Sequence, residues 1–203
     1  MPTYLDTIPP TTSPWGTPQT AGEELPGVWH VTTAGHGGYI LTDIRNAQIP
    51  ERARRDDCCY EEDCDWATIA WAFRDEFIAT DPAYPVERAK QILLDWLPEA
   101  YEAVTGEAPD PANSYALRRK KAIADAIGTS VIRSAISGQS RGLAKGEIIV
   151  TAAVVTGTSS FDLPRYDERS NTEWVIAEDD YDRERGIITP ISAFPNARLF
   201  AGA

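Results

Sequence analysis

Three glycines around His36 decide what the first third of this chain can become. The run G-V-W-H-V-T-T-A-G-H-G-G-Y-I-L, from Gly27 to Leu41, alternates Val28, His30 and Thr32 with Trp29, Val31 and Thr33 before it reaches A-G-H-G-G. Alternation with a period of two is the pattern of a strand, and glycines accept the backbone conformations of a tight reversal. The run therefore predicts a hairpin with His36 in its turn and Tyr39, Ile40 and Leu41 on the return strand. A polar, possible helical passage follows from Asp43 through Arg45, Asn46 and Pro50.

Further along, the period changes. Trp66, Ile69, Phe73 and Phe77 recur at three- and four-residue steps, which predicts one helix over 62–77 with these side chains on its buried face. Thr80, Asp81 and Pro82 end it. A second helix is expected from Pro85, with Val86, Ala89, Leu93, Leu97 and Tyr101 or Val104 inward. Pro98 lacks the N–H that a continuous helix needs, so a kink or break belongs there, and Gly106 reads as the stop. The segment E-A-P-D-P-A-N-S, 107–114, reads as a linker. A third helix is expected over about 114–137, and strands over 147–156, 173–177 and 186–191.

Residues 1–26 are rich in proline, which predicts an extended arm pinned by Tyr4, Leu5, Ile8 and Trp15. Helices in the middle with strands at both ends imply an α+β fold. The most economical version is a single antiparallel sheet built from both chain ends and covered by about three helices. The 203 residues are read as one domain, with 1–106 and 115–203 as the alternative sub-division.

The net charge of −12 disfavours direct nucleic-acid binding, because phosphate contacts need clustered Lys and Arg. It disfavours anionic membrane surfaces in the same way. No apolar run is long enough to span a bilayer, and the N-terminus lacks the basic and apolar regions of a signal peptide. Three cysteines, spaced C-C-x4-C, fit a reduced cytoplasmic protein better than a disulfide framework. Cys58 and Cys59 are adjacent and poorly placed to share one tetrahedral ion. No metal and no cofactor is expected.

Candidate chemistry concentrates between His36 and Asp65. His36, on an open turn, suits a general base or a metal ligand, or merely occupies the turn its glycines make. Asp56, Asp57, Glu61, Glu62, Asp63 and Asp65 place six carboxylates in ten residues. They read as a charged helix start, as an acid/base or cation-binding group, or as a partner surface. Cys64 would sit in the first turn of the 62–77 helix. There the dipole favours its thiolate and the surrounding acids oppose it, so a structural thiol is expected.

Two functional readings follow. In the first, Asp56, Asp57, Tyr60, Glu61, Glu62 and Asp65 bind a protein with a basic surface. In the second, His36 with Glu61, Glu62 or Asp63 forms the catalytic group of a hydrolase, with or without a metal. No Walker loop, dinucleotide fingerprint, nucleophile elbow or H-E-x-x-H is present.

Four motifs carry a resemblance. T-S-P-W-G at 12–16, the Gly27–Leu41 run, R-N-A-x-I-P at 45–50 and Y-E-E-D-C-D-W-A at 60–67 resemble an uncharacterised domain of proteins encoded on bacterial plasmids, integrative elements and phages. The resemblance covers about residues 12–80. It implies an accessory role in transfer, replication or evasion of host defence, and it assigns no catalytic residue.

Overall fold

The structure is a computed structural model and describes residues 8–160 and 162–200. Its backbone divides into two compact units, Met1–Leu117 and Arg118–Ala203.

The first unit opens with strand β1 (Thr20–Leu25), followed by β2 (Val28–Thr32) and β3 (Gly37–Leu41). The expected hairpin is β2–β3, with His30 opposite Tyr39 and Thr32 opposite Gly37. β1 adds to it antiparallel, so the end of the proline-rich arm is a strand. Tyr4 and Leu5 lie outside the described residues, whereas Ile8 is exposed and Trp15 is half-buried. A short helix α1 (Asp43–Asn46) leads through a single 3-10 turn to β4 (Cys59–Glu61), which pairs with β3 and completes a sheet in the order β1-β2-β3-β4.

The predicted 62–77 helix is two helices, α2 (Trp66–Ala72) and α3 (Arg74–Thr80). Phe73 separates them with φ −110° and ψ 24°, outside the helical range. Its N–H still reaches the Ile69 carbonyl, and its own carbonyl accepts from Phe77. The apolar spacing runs unbroken through the junction, so periodicity alone did not show it. The expected face is correct in its deepest members: Ile69, Phe73 and Phe77 are buried together with Val28, Leu41, Ile49 and Tyr60, and Trp66 packs against them. Phe73→Ala is expected to cost about 3–5 kcal/mol in urea unfolding, the range for truncating a core aromatic; a cost below about 1 kcal/mol would contradict this packing.

The second expected helix is α4 (Val86–Trp96) and α5 (Pro98–Thr105), broken at Pro98 as its missing donor requires. Gly106 ends α5 in the left-handed conformation, φ 74°.

Helix α6 (Tyr115–Asp125) is shorter than the expected 114–137. In the second unit, Ser130–Ser137 is strand β5. Val131 and Ala135 satisfy helical spacing, but V-I-R-S-A-I-S is also rich in β-branched residues and pairs with β6 (Glu147–Thr158) along its length except at a bulge at Arg133. On the side of β6 away from β5, β8 (Thr172–Ala177) pairs with its first half and β7 (Pro164–Tyr166) with its end. Helix α7 (Glu178–Glu184) follows, then β9 (Arg198–Leu199) on β8. The expected strand at 186–191 is instead irregular chain. It contributes one bridge, Val131 to Pro190, and the Ile132 N–H bonds to the Thr189 carbonyl at 2.9 Å. Ile148, Val150, Ile176 and Phe194 form one core cluster of this unit, and Ile123, Ala126, Val131 and Val155 another.

The α+β class therefore holds, but the single sheet under about three helices does not. There are two antiparallel sheets, of four and five strands, and seven helices among the described residues. Strands at each end of the chain pair with near neighbours in sequence, so neither end needs the other to complete a sheet. No helix among the described residues is long and apolar enough to cross a membrane.

Candidate functional site

His36 is held on the β2–β3 turn by Thr33, whose N–H and hydroxyl both donate to the His36 carbonyl at 2.8 and 2.7 Å. On the neighbouring strand, Glu61 pairs with Gly38 and the Glu62 N–H donates to the Gly37 carbonyl at 3.1 Å. Strand pairing thus sets the site. His36 Nδ1 lies 3.7 Å from Glu61 Oε1 and 4.0 Å from Glu62 Oε1. One donor atom from each of the three residues falls within 4.8 Å of the others. Gly37 provides room for this approach: a Cβ there would stand 2.8 Å from Glu62 Oε2 and 2.7 Å from the Val31 carbonyl.

Beside this group lies an open cleft of about 280 Å³, lined by His30, Gly38, Tyr39, Glu62, Trp66, Tyr84 and Pro85. His30 and Tyr39 face each other across β2 and β3 with ring centroids 5.2 Å apart. Tyr84 stacks on Phe77 at 4.1 Å and 8°. The Tyr39 hydroxyl donates to Glu24 at 2.8 Å and lies 2.9 Å from the Tyr84 hydroxyl. Burial, reinforced by Tyr84 and Glu24, pushes the Tyr39 phenol far up, and burial raises Tyr84 as well. Both stay protonated under ordinary conditions.

The remaining acids serve other ends. Asp63 is outside the three-residue group; its N–H donates to Glu61 Oε2 at 2.8 Å. Asp56 and Asp57 are exposed, and Asp57 accepts the Cys59 N–H at 3.0 Å. Asp65 forms an ion pair with Arg55. Tyr60, expected on the partner surface, is instead in the core at 1% exposure. Its hydroxyl donates to Asn46 at 2.6 Å and accepts the Arg55 N–H at 3.0 Å. Its position follows from β4, where Tyr60 pairs with Tyr39.

Cys64 and the acids before it precede α2 rather than forming its first turn, so the expected dipole contribution falls away. Burial and the neighbours Asp63, Asp65 and Glu61 raise the Cys64 thiol. Burial and Asp57 push Cys59 up to about 11, and burial with Asp43 raises Cys58. All three cysteines are free thiols and half-buried, chemistry that suits packing better than nucleophilic attack.

Tyr39 and Tyr84 were not singled out as site residues from the sequence. Alternation placed His30 and Tyr39 on strands, but nothing in the order of residues signals that Tyr84 meets Tyr39 from 45 positions away.

An imidazole with two carboxylates can orient a general base or ligate a divalent cation. An aromatic cleft with a carboxylate on its rim can receive a small cationic group. Both features lie in the part of the chain that carries a family match. Residues 8–127 match a domain of unknown function, DUF7007, and the chain belongs to that family. No curated protein and no solved structure matches the chain.

Proposed function

We propose that this protein is a cytoplasmic accessory factor of a mobile genetic element, phage or plasmid, that acts by binding a host or element protein with a basic surface. Evasion of host defence is one role that would use such binding. The genetic setting rests on the motif resemblance, and the binding mode on the distribution of charge.

The carrying observation is that Glu61 and Glu62 have no arginine or lysine partner among the described residues. Four other acids of the same unit do have one: Asp65 with Arg55, Glu76 with Arg45, Glu102 with Arg52 and Glu107 with Lys90. Unmatched carboxylates on a rigid strand end are available to a cationic partner and contribute steering and specificity.

The test is capture of partners from the native host, followed by binding of the captured protein to variants. Glu61→Lys/Glu62→Lys is expected to abolish binding while circular dichroism stays unchanged, since ion pairs of solvent-accessible charges are each worth only about 0.2–1 kcal/mol to folding. Wild-type binding should weaken as salt rises. Binding that ignores both the reversal and the salt would sink this reading.

The 3.7 Å approach of His36 to Glu61 favours a second reading, a hydrolase in which His36 acts as base beside a carboxylate or shares a cation with it. That reading forecasts that His36→Ala is as damaging in the cell as the double charge reversal, because a base and its partner act as one unit. Binding forecasts loss with the acidic variant alone. If both folded variants keep wild-type activity in the cell, neither reading holds.

A further inference from the structure

We infer that the cleft between β2–β3 and Trp66 and Tyr84 is a receptor for a single guanidinium side chain, an arginine presented by the partner protein. This deepens the binding reading and rests on it for the identity of the ligand's owner.

The aromatic faces of the unit supply the first argument. Cations of the chain itself already cover other rings of this unit. Arg45 lies 4.8 Å from the Phe73 centroid, Arg74 and Lys90 lie 5.1 and 5.3 Å from Trp71, and Lys90 lies 5.9 Å from Tyr101. Among the described residues, no arginine or lysine covers Tyr39, Trp66 or Tyr84. All three line the open cleft, and although Phe77 covers one face of Tyr84, aromatic rings beside a cavity attract cations through their quadrupole.

The hydrogen-bonding groups point the same way. Tyr39 gives its proton to Glu24, so in the Tyr39–Tyr84 contact it is Tyr84 that donates. Both hydroxyl protons are thereby committed, leaving oxygen lone pairs as acceptors. Glu62 adds a carboxylate on the rim that no arginine or lysine of the described chain engages. A site offering acceptors and ring faces suits a group that only donates. Guanidinium is planar, donates through five N–H groups and stacks on rings, whereas an ammonium offers no flat face.

Size suits a small group. At about 280 Å³ the cleft falls just below the range of about 300–1,000 Å³ typical of cofactor and small-molecule sites. One side chain fits that space, and its open mouth leaves the path for the rest of a protein.

The experiment is a titration of the full chain with capped Gly-Arg-Gly amide, followed through the indole resonance of Trp66 and the imidazole resonances of His30. The citrulline peptide, which keeps the shape and loses the charge, is the comparison. Saturable shifts with a dissociation constant of about 1 mM or tighter are expected for the arginine peptide. The citrulline peptide should bind at least about tenfold more weakly, and so should the arginine peptide to Glu62→Gln. Glu99→Gln, an exposed acid on α5, should leave binding unchanged. Absence of a saturable shift, equal binding of citrulline, or an unaffected Glu62→Gln would each overturn the assignment. A captured partner that depends on Glu61 and Glu62, with no arginine-peptide binding, would overturn this inference and leave the binding reading standing. Arginine-peptide binding with no captured partner would support the receptor and count against the proposed function.

Discussion

Arg45→Ala is expected to destabilise the protein by about 3–5 kcal/mol, the cost of breaking a buried ion pair by removing one partner. Arg45 is 1% exposed, although it sits on a four-residue helix of mostly polar sequence. Its guanidinium donates to both oxygens of Glu76, at 2.7 and 2.6 Å, and its Nε donates to the Pro26 carbonyl at 2.7 Å. The same group lies over the Phe73 ring, where α2 gives way to α3. One side chain therefore joins the β1–β2 turn, α1 and α3. Its loss leaves a cavity, an unsatisfied carbonyl and an unpaired carboxylate. Glu76 is nearly half exposed and recovers some hydration, which keeps the cost from rising further.

Urea unfolding followed by tryptophan fluorescence checks this, because five of the six tryptophans lie in the first unit. A cost below about 1 kcal/mol would mean that the pair contributes no more than an exposed one. The pH dependence has a defined sign. Hydrogen bonding to Arg45 holds the Glu76 carboxyl below its ordinary value of 4.5. Its contribution is fully present above that ordinary value and is lost as pH falls through the lower, folded value. The stability gap between wild type and Glu76→Gln should therefore be constant above about pH 5 and shrink progressively below it.

Arg45 also shows where sequence reading stops. It lies in a D-I-R-N segment that reads as a mostly polar surface passage; partners 19 and 31 residues away make its burial possible. The same limit explains the sheets. The β2–β3 hairpin was legible because both strands and their turn lie within fifteen residues and alternate clearly. β4 was not, because C-Y-E is three residues long and sits inside an acidic run. β1 was hidden in a proline-rich arm, and β5 satisfied the helical spacing as well as the strand propensity. At the site, His36, Glu61 and Glu62 could be named from residue type and charge. The inward turn of Tyr60, the pairing of Asp65 with Arg55 and the cleft around Tyr84 depend on long-range register, which no local pattern encodes.

Register at β3–β4 is also where fold and function meet most tightly, and Gly38→Ala is expected to break both. Gly38 has φ 150°, and a Cβ there would stand 2.1 Å from the Tyr60 carbonyl, 3.0 Å from the Glu61 Cα and 2.8 Å from the Trp15 ring. Backbone atoms of a paired strand have little room to yield, so β4 must move away from β3. Strain at such a conformation costs about 1–3 kcal/mol by itself, and the clash adds to it. A total loss above about 3 kcal/mol is expected, with Glu61 and Glu62 carried away from His36 in any fraction that still folds. Gly35, one position before His36 on the same turn, is the contrast. A Cβ there meets nothing within 4 Å, so Gly35→Ala should stay within about 0.5 kcal/mol of wild type. Both variants change a glycine of the same A-G-H-G-G turn, and only one of them meets the partner strand. If the two unfold at the same urea concentration, β4 does not lie against Gly38, and the approach of Glu61 and Glu62 to His36 loses its structural basis.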